Sequence, residues 1–235
     1  MDDDVRHAVA ARLAVVRRRV TDAALAAGRD PAHVQLLLAS KTMSVDAVAA
    51  ALAADEGREA GLARVVLGEN RVQELVAKAP ELAHLEPTWH VIGPLQSNKV
   101  NAALRWASCV ESVASLELAE RLAARAAGLD VMVQVNVSDE PTKHGVAPDD
   151  ALDLARAVAA LDGLRLVGLM TVGANSTDEA VVRAGYARLR ALRDEVAAAV
   201  PTATGLSMGM SRDLEPAIAE GATIVRIGSA VFGAR

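Results

Sequence analysis

The sequence has little of several features that mark particular classes of protein. Aromatic residues make up 2% of its 235 residues, so Ala, Val and Leu must fill the hydrophobic core. The single cysteine, Cys109, cannot form an internal disulfide, and the acidic start MDDDVRH lacks the apolar segment of a signal peptide. No run approaches the roughly 20 apolar residues of a membrane span. We therefore expect a cytoplasmic protein without a membrane anchor.

The chain also lacks an excess of positive charge. Lys and Arg number 25 against 30 Asp and Glu, which gives a net charge of −5. This balance offers no electrostatic surface for nucleic acid or anionic membranes. The run Arg17 to Arg19 lies in a predicted amphipathic helix, where a solvated helix face explains it better than a binding patch. The five histidines show no HExxH motif or Cys/His cluster, so we expect no metal site.

The chain alternates short apolar runs with alanine-rich helical patterns. Eight strands are predicted, at Val34–Ala39, Arg64–Leu67, Trp89–Ile92, Cys109–Val113, Val131–Val137, Leu164–Met170, Thr204–Met208 and Thr223–Ile227. Helices are predicted at Asp2–Ala27, Ser44–Ala54, Asn70–Ala79, Ser97–Trp106, Ser115–Ala127, Pro148–Leu161, Thr177–Val200 and Ser211–Ala219. Because alternating strands and helices imply βαβ units, this order predicts an α/β protein with a closed (β/α)₈ TIM barrel and an extra N-terminal helix.

An open Rossmann-type sheet is the alternative architecture. It would require a GxGxxG motif after the first strand, and the segment ASKTMS contains nothing of the kind. Since no Pro/Ser-rich linker divides the chain, residues 1–235 are predicted to form a single barrel domain.

The first predicted strand ends in a lysine. In the segment VQLLLASKTMS, Lys41 follows a buried run, at the end of the barrel where functional residues meet. Burial among aliphatic neighbours disfavours the ammonium form, and a neutral amine is the nucleophile that forms a Schiff base with an aldehyde. The alternative is a lysine that extends over the barrel rim into solvent.

Gly/Ser turns follow the last two predicted strands. Ser207 ends strand seven in LSMGMSRDLEPAI, and Gly228 and Ser229 follow strand eight in IVRIGSAVFGAR. Phosphate sites in such barrels are typically built from the loops after strands seven and eight. Ordinary turn chemistry is the alternative for each turn alone. Together the two turns predict a phosphate site.

Arg226 lies inside the eighth predicted strand, between Val225 and Ile227, where alternation directs it into the barrel. A guanidinium keeps its charge and needs acceptors. It could pair with a core carboxylate such as Glu69 or Glu111, or donate to a ring nitrogen or an acid group of a ligand. An amine, a phosphate site and a buried arginine fit pyridoxal 5′-phosphate, but a phosphorylated ketose in a Schiff-base aldolase fits the same parts.

Six segments resemble the pyridoxal phosphate homeostasis protein family. They are ASKTMS, LGENRVQEL, WHVIGPLQSNKV, VNVSDEPTKHGV, GLMTVG and LSMGMSRDLEPAIAEGATIVRIGSAVFGAR. Because they follow the family's order from the first strand to the C-terminus, the resemblance covers nearly the whole chain. The family is similar to the N-terminal barrel of bacterial alanine racemases and binds pyridoxal 5′-phosphate without established catalysis.

The resemblance implies roles for individual residues. Lys41 would form the Schiff base with the cofactor, and Arg226 would face its pyridine nitrogen. The residues that would hold the phosphate are Ser207, Gly228 and Ser229. The residues that would line the pocket at other strand ends are Asn70, His90, Asn136 and Met170. Lys143 matches a second family lysine suspected of a role in cofactor transfer, and a solvated loop lysine is the alternative.

The chain departs from the family pattern in three places. The family usually has SKTKP where this chain has SKTMS, so Met43 and Ser44 replace a lysine and a proline. The loss of that lysine puts any role for an added positive charge beside the pocket in doubt. The segments VVLGEN and WHVIG lack the phenylalanines common in the family. The segment Ala54–Leu62 is longer than usual, and we expect it to be a surface extension of the preceding helix.

The expected function is that of a cofactor carrier rather than an enzyme. The protein would be a monomer that holds pyridoxal 5′-phosphate on Lys41 and delivers it to apo-enzymes. A pyridoxal phosphate-dependent amino-acid racemase, or a related enzyme, is the alternative. Racemisation by two bases needs a second acid/base on the far side of the cofactor, whereas the only tyrosine, Tyr186, is predicted to face solvent or a neighbouring helix.

Overall fold

The computed structural model describes residues 3–138, 140 and 143–233. Eight parallel strands close into a barrel in chain order, and β8 pairs back onto β1. The strands are β1 (Gln35–Ala39), β2 (Val66–Glu69), β3 (Trp89–Val91), β4 (Ala107–Val113), β5 (Leu129–Gln134), β6 (Leu164–Met170), β7 (Gly205–Ser207) and β8 (Ile224–Ile227). The predicted fold class is therefore confirmed.

The described ranges contain nine α-helices, and one of them precedes the barrel. They are α1 (Asp3–Ala26), α2 (Val45–Asp55), α3 (Val72–Leu82), α4 (Val100–Ala103), α5 (Leu116–Ala123), α6 (Ala151–Ala159), α7 (Glu179–Ala199), α8 (Leu214–Ala219) and α9 (Ser229–Phe232). The extra helix α1 packs against α2, α8 and α9, and its predicted start, Asp2, lies outside the described residues. No helix in these ranges combines the length and the apolar character needed to cross a bilayer.

Local sequence explains where several helices begin. The hydroxyl of Ser44 accepts a hydrogen bond from the Ala47 amide at the start of α2, and Ser115 does the same for Leu118 at the start of α5. Each side chain satisfies one amide that lacks an acceptor within its helix. The serines that predicted these two helix starts therefore act as N-cap residues.

The core follows from the composition. Leu36, Leu37 and Leu38 of β1 are all buried, because both faces of a parallel strand are covered in a barrel. Tyr186 on α7 is also completely buried, and its hydroxyl donates a hydrogen bond of 2.8 Å to Asp213 Oδ2. Of the two surroundings predicted for Tyr186, solvent or a neighbouring helix, solvent is therefore wrong. It lies against the segment that precedes α8.

Most observed elements begin or end up to four residues from their predicted bounds, and α9 was not predicted. Two of the differences can be examined through the contacts nearby. Strand β2 begins at Val66 instead of Arg64, because the Val65 amide donates to Asp55 Oδ2 at 2.8 Å and Arg64 donates to the Leu85 carbonyl. Helix α2 ends at Asp55, so the segment that follows is a largely exposed turn region and not an added piece of helix. The bonds of Val65 and Arg64 at the start of β2 reach across the fold, so they have no local sequence signal.

Candidate functional site

A cavity of about 1380 Å³ opens where the strands end. It exceeds the ~300–1,000 Å³ typical of small-molecule sites, so it has room for a cofactor-sized ligand. Its wall includes five of the nine predicted site residues: Lys41, Asn70, Arg226, Gly228 and Ser229. They come from the ends of β1, β2 and β8, which lie next to one another in the barrel.

Lys41 lies two residues beyond β1, partly buried on the cavity wall. Its Nζ makes no hydrogen bond or ion pair with any residue of the described ranges. The other lysine on this wall is Lys143, whose Nζ donates to Glu140 Oε1 and to the Gly173 carbonyl, each at 2.7 Å. Of these two amines, that of Lys41 is the one available to a ligand.

The backbone turns sharply at this lysine. Thr42 has a φ of +64°, which is uncommon for a β-branched residue. Its hydroxyl donates to the Lys41 carbonyl at 2.6 Å, and its amide donates to Glu74 Oε2 at 2.5 Å. Conformations of this kind persist where surrounding contacts hold them, and they are concentrated at functional sites.

Arg226 belongs to a chain of buried hydrogen bonds across the barrel interior. It donates to Ser207 Oγ at 2.8 Å and to the Thr171 carbonyl at 2.6 Å. Ser207 Oγ donates to Glu111 Oε2 at 2.5 Å, and Glu111 Oε1 lies 2.6 Å from His90 Nδ1. One of the two predicted carboxylates, Glu111, is thus linked to Arg226 through Ser207. The chain of hydrogen bonds fixes the guanidinium at the floor of the cavity.

The charges in this chain stabilise one another. Burial alone would raise the pKa of Glu111, but the hydrogen bond and charge of His90, the charge of Arg226 and the Ser207 hydroxyl together lower it from the usual 4.5. Burial lowers the pKa of Arg226, and the charge of Glu111 opposes that shift. Glu111 is therefore ionised at neutral pH and serves as the counter-charge of the arginine.

Four predicted site residues have side chains away from the cavity wall. Ser207 is buried and makes the hydrogen bonds to Arg226 and Glu111, and His90 is bound to the same Glu111. Asn136 Nδ2 donates to the Glu140 carbonyl at 2.9 Å and so organises its own loop. Met170 is completely buried with Cys109 and Met132. Ser207 and Met170 are absent from the cavity wall because strand alternation directs their side chains into the barrel interior.

Two residues shape the loop after β7, and one of them, Asp213, was not predicted to belong to the site. Asp213, on the cavity wall, accepts from the Met210 amide at 2.6 Å and from the Tyr186 hydroxyl. Gly209 in the same loop has a φ of +89°, and a Cβ there would lie 2.4 Å from that of Ala217. The only available signal was the Gly/Ser/Asp composition of the loop. It indicated a turn but not the tyrosine that supports it.

No group of three or more His, Cys, Asp or Glu side chains within the described ranges could hold a metal ion. The site instead combines an unpaired amine, a buried guanidinium and a Gly–Ser turn. At the start of α9, Ser229 follows that turn, and first-turn amides of a helix lack acceptors within the helix. These groups suit a ligand that carries both an electrophilic carbonyl and an anion.

Comparison with known proteins gives consistent results. The family model "Alanine racemase, N-terminal domain" matches residues 8–235. The pyridoxal phosphate homeostasis protein of Pseudomonas aeruginosa is 48% identical over 231 residues, which cover 97% of this chain and 96% of that protein. A crystal structure of an unknown protein from Bifidobacterium adolescentis has a TM-score of 0.92 and 38% identity, covering 99% of this chain and 97% of the other. PipY of Synechococcus elongatus PCC7942, solved with pyridoxal phosphate (PLP) bound, has a TM-score of 0.80 and 34% identity, covering 96% and 100%.

Proposed function

The chain belongs to the pyridoxal phosphate homeostasis proteins and carries the alanine racemase N-terminal domain, and from this premise we propose that it binds PLP through Lys41. It would hold the cofactor reversibly and release it to apo-enzymes in the cytoplasm. The observation that carries the proposal is the position of Lys41. Its unpaired amine shares one cavity wall with Arg226, Gly228 and Ser229.

The residues present fit the chemical groups of the cofactor. PLP supplies an aldehyde, a ring nitrogen and a phosphate. Lys41 would supply the neutral amine for a Schiff base with the aldehyde, with the carbonyl oxygen released as water, and water or another amine would displace the lysine when the cofactor leaves. The turn at Gly228 and Ser229 would bind the phosphate through backbone amides and the Ser229 hydroxyl. Asn70, on the same wall, would contact the ring.

Arg226 would donate a hydrogen bond to the ring nitrogen. Its two bonds to Ser207 and Thr171 leave other N–H groups without an acceptor among the described residues. Since a guanidinium only donates, it favours an unprotonated ring nitrogen and a weak electron sink. In this proposal Ser207 and His90 act indirectly, because they hold Arg226 through Glu111. A weak electron sink is compatible with storage of the cofactor and does not by itself exclude racemisation.

Tyr186 offers no second acid/base for racemisation. It is completely buried, and its hydroxyl is bound to Asp213. Burial raises the pKa of Tyr186, and the charge of Asp213 raises it further, so the phenol cannot act as a base near neutral pH. The geometry thus favours a carrier over the racemase alternative.

Lys143 lies on the same wall and would serve in release. Its ammonium is held by Glu140 and the Gly173 carbonyl, whereas the amine of Lys41 has no partner among the described residues. We propose that it assists displacement of Lys41 when the cofactor leaves. Because residues of one chain complete the cavity wall, we propose that the protein acts as a monomer.

Absorption spectroscopy tests the proposal. The purified protein mixed with PLP should show the visible band of a lysine Schiff base, and Lys41→Ala should lack it. Lys143→Ala is the matched control on the same wall and should keep the band. Incubation with L-alanine followed by chiral analysis tests the alternative, and sustained turnover well above that of free PLP would establish an enzyme instead of a carrier.

A further inference from the structure

Lys78 lies behind the turn that carries Lys41, and its side chain is not part of the cavity wall. We infer that Lys78 is a positioning residue that holds the backbone on both sides of Lys41 and keeps the Lys41 amine free to react. The inference rests on the proposed function of Lys41. It concerns a buried ion cluster formed by Lys78, Glu69 and Glu74 with Ser40 and Thr42.

The ammonium of Lys78 has no unused proton. Lys78 lies on α3, is 6% exposed, and donates to the Ser40 carbonyl at 2.7 Å, to Glu69 Oε1 at 2.7 Å and to Glu74 Oε2 at 3.1 Å. An ammonium has three donors, and here each has an acceptor. A buried lysine is rare unless it is paired, so the cluster accounts for its burial.

The same two carboxylates bind the residues on either side of Lys41. Glu69 Oε1 also accepts from the Ser40 hydroxyl at 2.8 Å. Glu74 Oε2 also accepts from the amide of Thr42, the residue with the left-handed backbone. One ammonium therefore secures both ends of the three-residue segment that has Lys41 at its centre. Removing it would free Thr42 to leave its strained conformation and would redirect the lysine.

Charge gives Lys78 a second role. Glu69 is completely buried, and burial raises its pKa while Lys78 and Ser40 lower it. Its Oε2 has no hydrogen-bond partner among the described residues. Without Lys78, the buried Glu69 would lose the cation that it is paired with, and an uncompensated buried charge is strongly unfavourable. Lys41 lies between Ser40 and Thr42, the two residues that these carboxylates bind, so its ammonium would then be drawn from the cavity into an ion pair.

The test separates the covalent step from binding of the cofactor's other groups. Lys78→Met keeps the length of the side chain and removes its charge. We expect the rate of Schiff-base formation with PLP to fall on the order of 10- to 100-fold, since a misplacement of about 1 Å can cost about 100-fold. The affinity for pyridoxine 5′-phosphate, which has the ring and phosphate but no aldehyde, should stay unchanged because the phosphate turn is intact.

A matched control removes another buried ion pair that does not touch the Lys41 turn. Arg17 pairs with the buried Asp55 between α1 and α2. Arg17→Met should lower the urea midpoint as Lys78→Met does and leave the rate of Schiff-base formation unchanged. If Lys78→Met does not fold, Glu74→Gln provides the test, because Glu74 is partly exposed and its replacement weakens the link to Thr42 while Lys78 keeps its bonds to the Ser40 carbonyl and Glu69.

The outcomes are distinct. A wild-type rate in Lys78→Met or Glu74→Gln, or an equal loss in Arg17→Met, would overturn the positioning role while leaving the proposed function intact. A parallel loss of pyridoxine 5′-phosphate affinity would also overturn it, since the effect would then be a general collapse of the site. Failure of the wild-type protein to form the Schiff base would instead refute the proposed function.

Discussion

Replacement of Glu111 by glutamine tests the electrostatic chain beneath the site. Glu111 is completely buried, and its two oxygens bind His90 and Ser207, which in turn binds the buried Arg226. Glutamine keeps the shape but has one acceptor oxygen, so it cannot serve both partners as an acceptor. It also leaves the Arg226 guanidinium without its counter-charge.

The expected cost follows from that uncompensated charge. Loss of one partner from a buried charged pair costs about 3–5 kcal/mol, so we expect the free energy of unfolding of Glu111→Gln to fall by about 3 kcal/mol at pH 7. For a chain of this length, each kcal/mol lowers the melting temperature by about 2–4 °C, which predicts a decrease of about 6–12 °C. Urea and thermal denaturation measure both quantities.

The difference should depend on pH. Because the folded-state pKa of Glu111 is lowered from the usual 4.5, its contribution to stability is fully present above that value. It is lost as the pH falls through the lower folded-state pKa. The gap between wild type and Glu111→Gln should therefore be constant from about pH 6 to 7 and should shrink below about pH 4.5.

The exposed residue Glu117 provides the control. It pairs with Arg121 one helical turn away, and such surface pairs contribute about 0.3–0.5 kcal/mol. Glu117→Gln should therefore change stability little at any pH. The reasoning would be refuted if Glu111→Gln were as stable as wild type at pH 7, or if its deficit persisted unchanged in acid.

Three further predictions concern the loop and the second wall lysine. Tyr186→Phe removes the hydrogen bond to Asp213, so we expect the free energy of unfolding in urea to fall by about 1 kcal/mol and pyridoxine 5′-phosphate to bind more weakly. Unchanged values for both would contradict the support assigned to Tyr186. Gly209→Ala should lower the free energy of unfolding by about 1–3 kcal/mol, because the new Cβ stands at a positive φ and contacts Ala217. An unchanged free energy in the same assay would show that the loop adjusts freely. Lys143→Met should form the Schiff base normally but transfer PLP to an apo-enzyme more slowly, and equal transfer rates would remove Lys143 from release.

The barrel was predictable because its signals are local. Apolar runs of strand length alternate with helical patterns, and caps such as Ser44 and Ser115 mark helix starts that the structure confirms. Lys41 and Gly228 could be placed at the same end of the barrel because the topology brings all strand ends of one polarity together. These predictions depend on local sequence patterns and strand direction, and they require no knowledge of the contacts between side chains.

The parts of the site that depend on long-range contact could not be predicted in this way. Ser207 lies at a strand end, but the phase of alternation turns its hydroxyl inward to Glu111, far away in sequence. Glu74 and Lys78 have the spacing of an ordinary surface pair on one helix. Only the approach of Glu69 and the Ser40 carbonyl turns that pair into a buried cluster.

The most direct measurement of the central claim is to locate the bond between protein and cofactor. Wild-type protein incubated with PLP and reduced with borohydride is digested, and the phosphopyridoxyl group is mapped by peptide mass spectrometry. We predict that the group is found on Lys41 in nearly all labelled molecules and that Lys41→Ala is unlabelled. A wild-type protein labelled mainly at Lys143 or Lys78, or not labelled at all, would contradict the account.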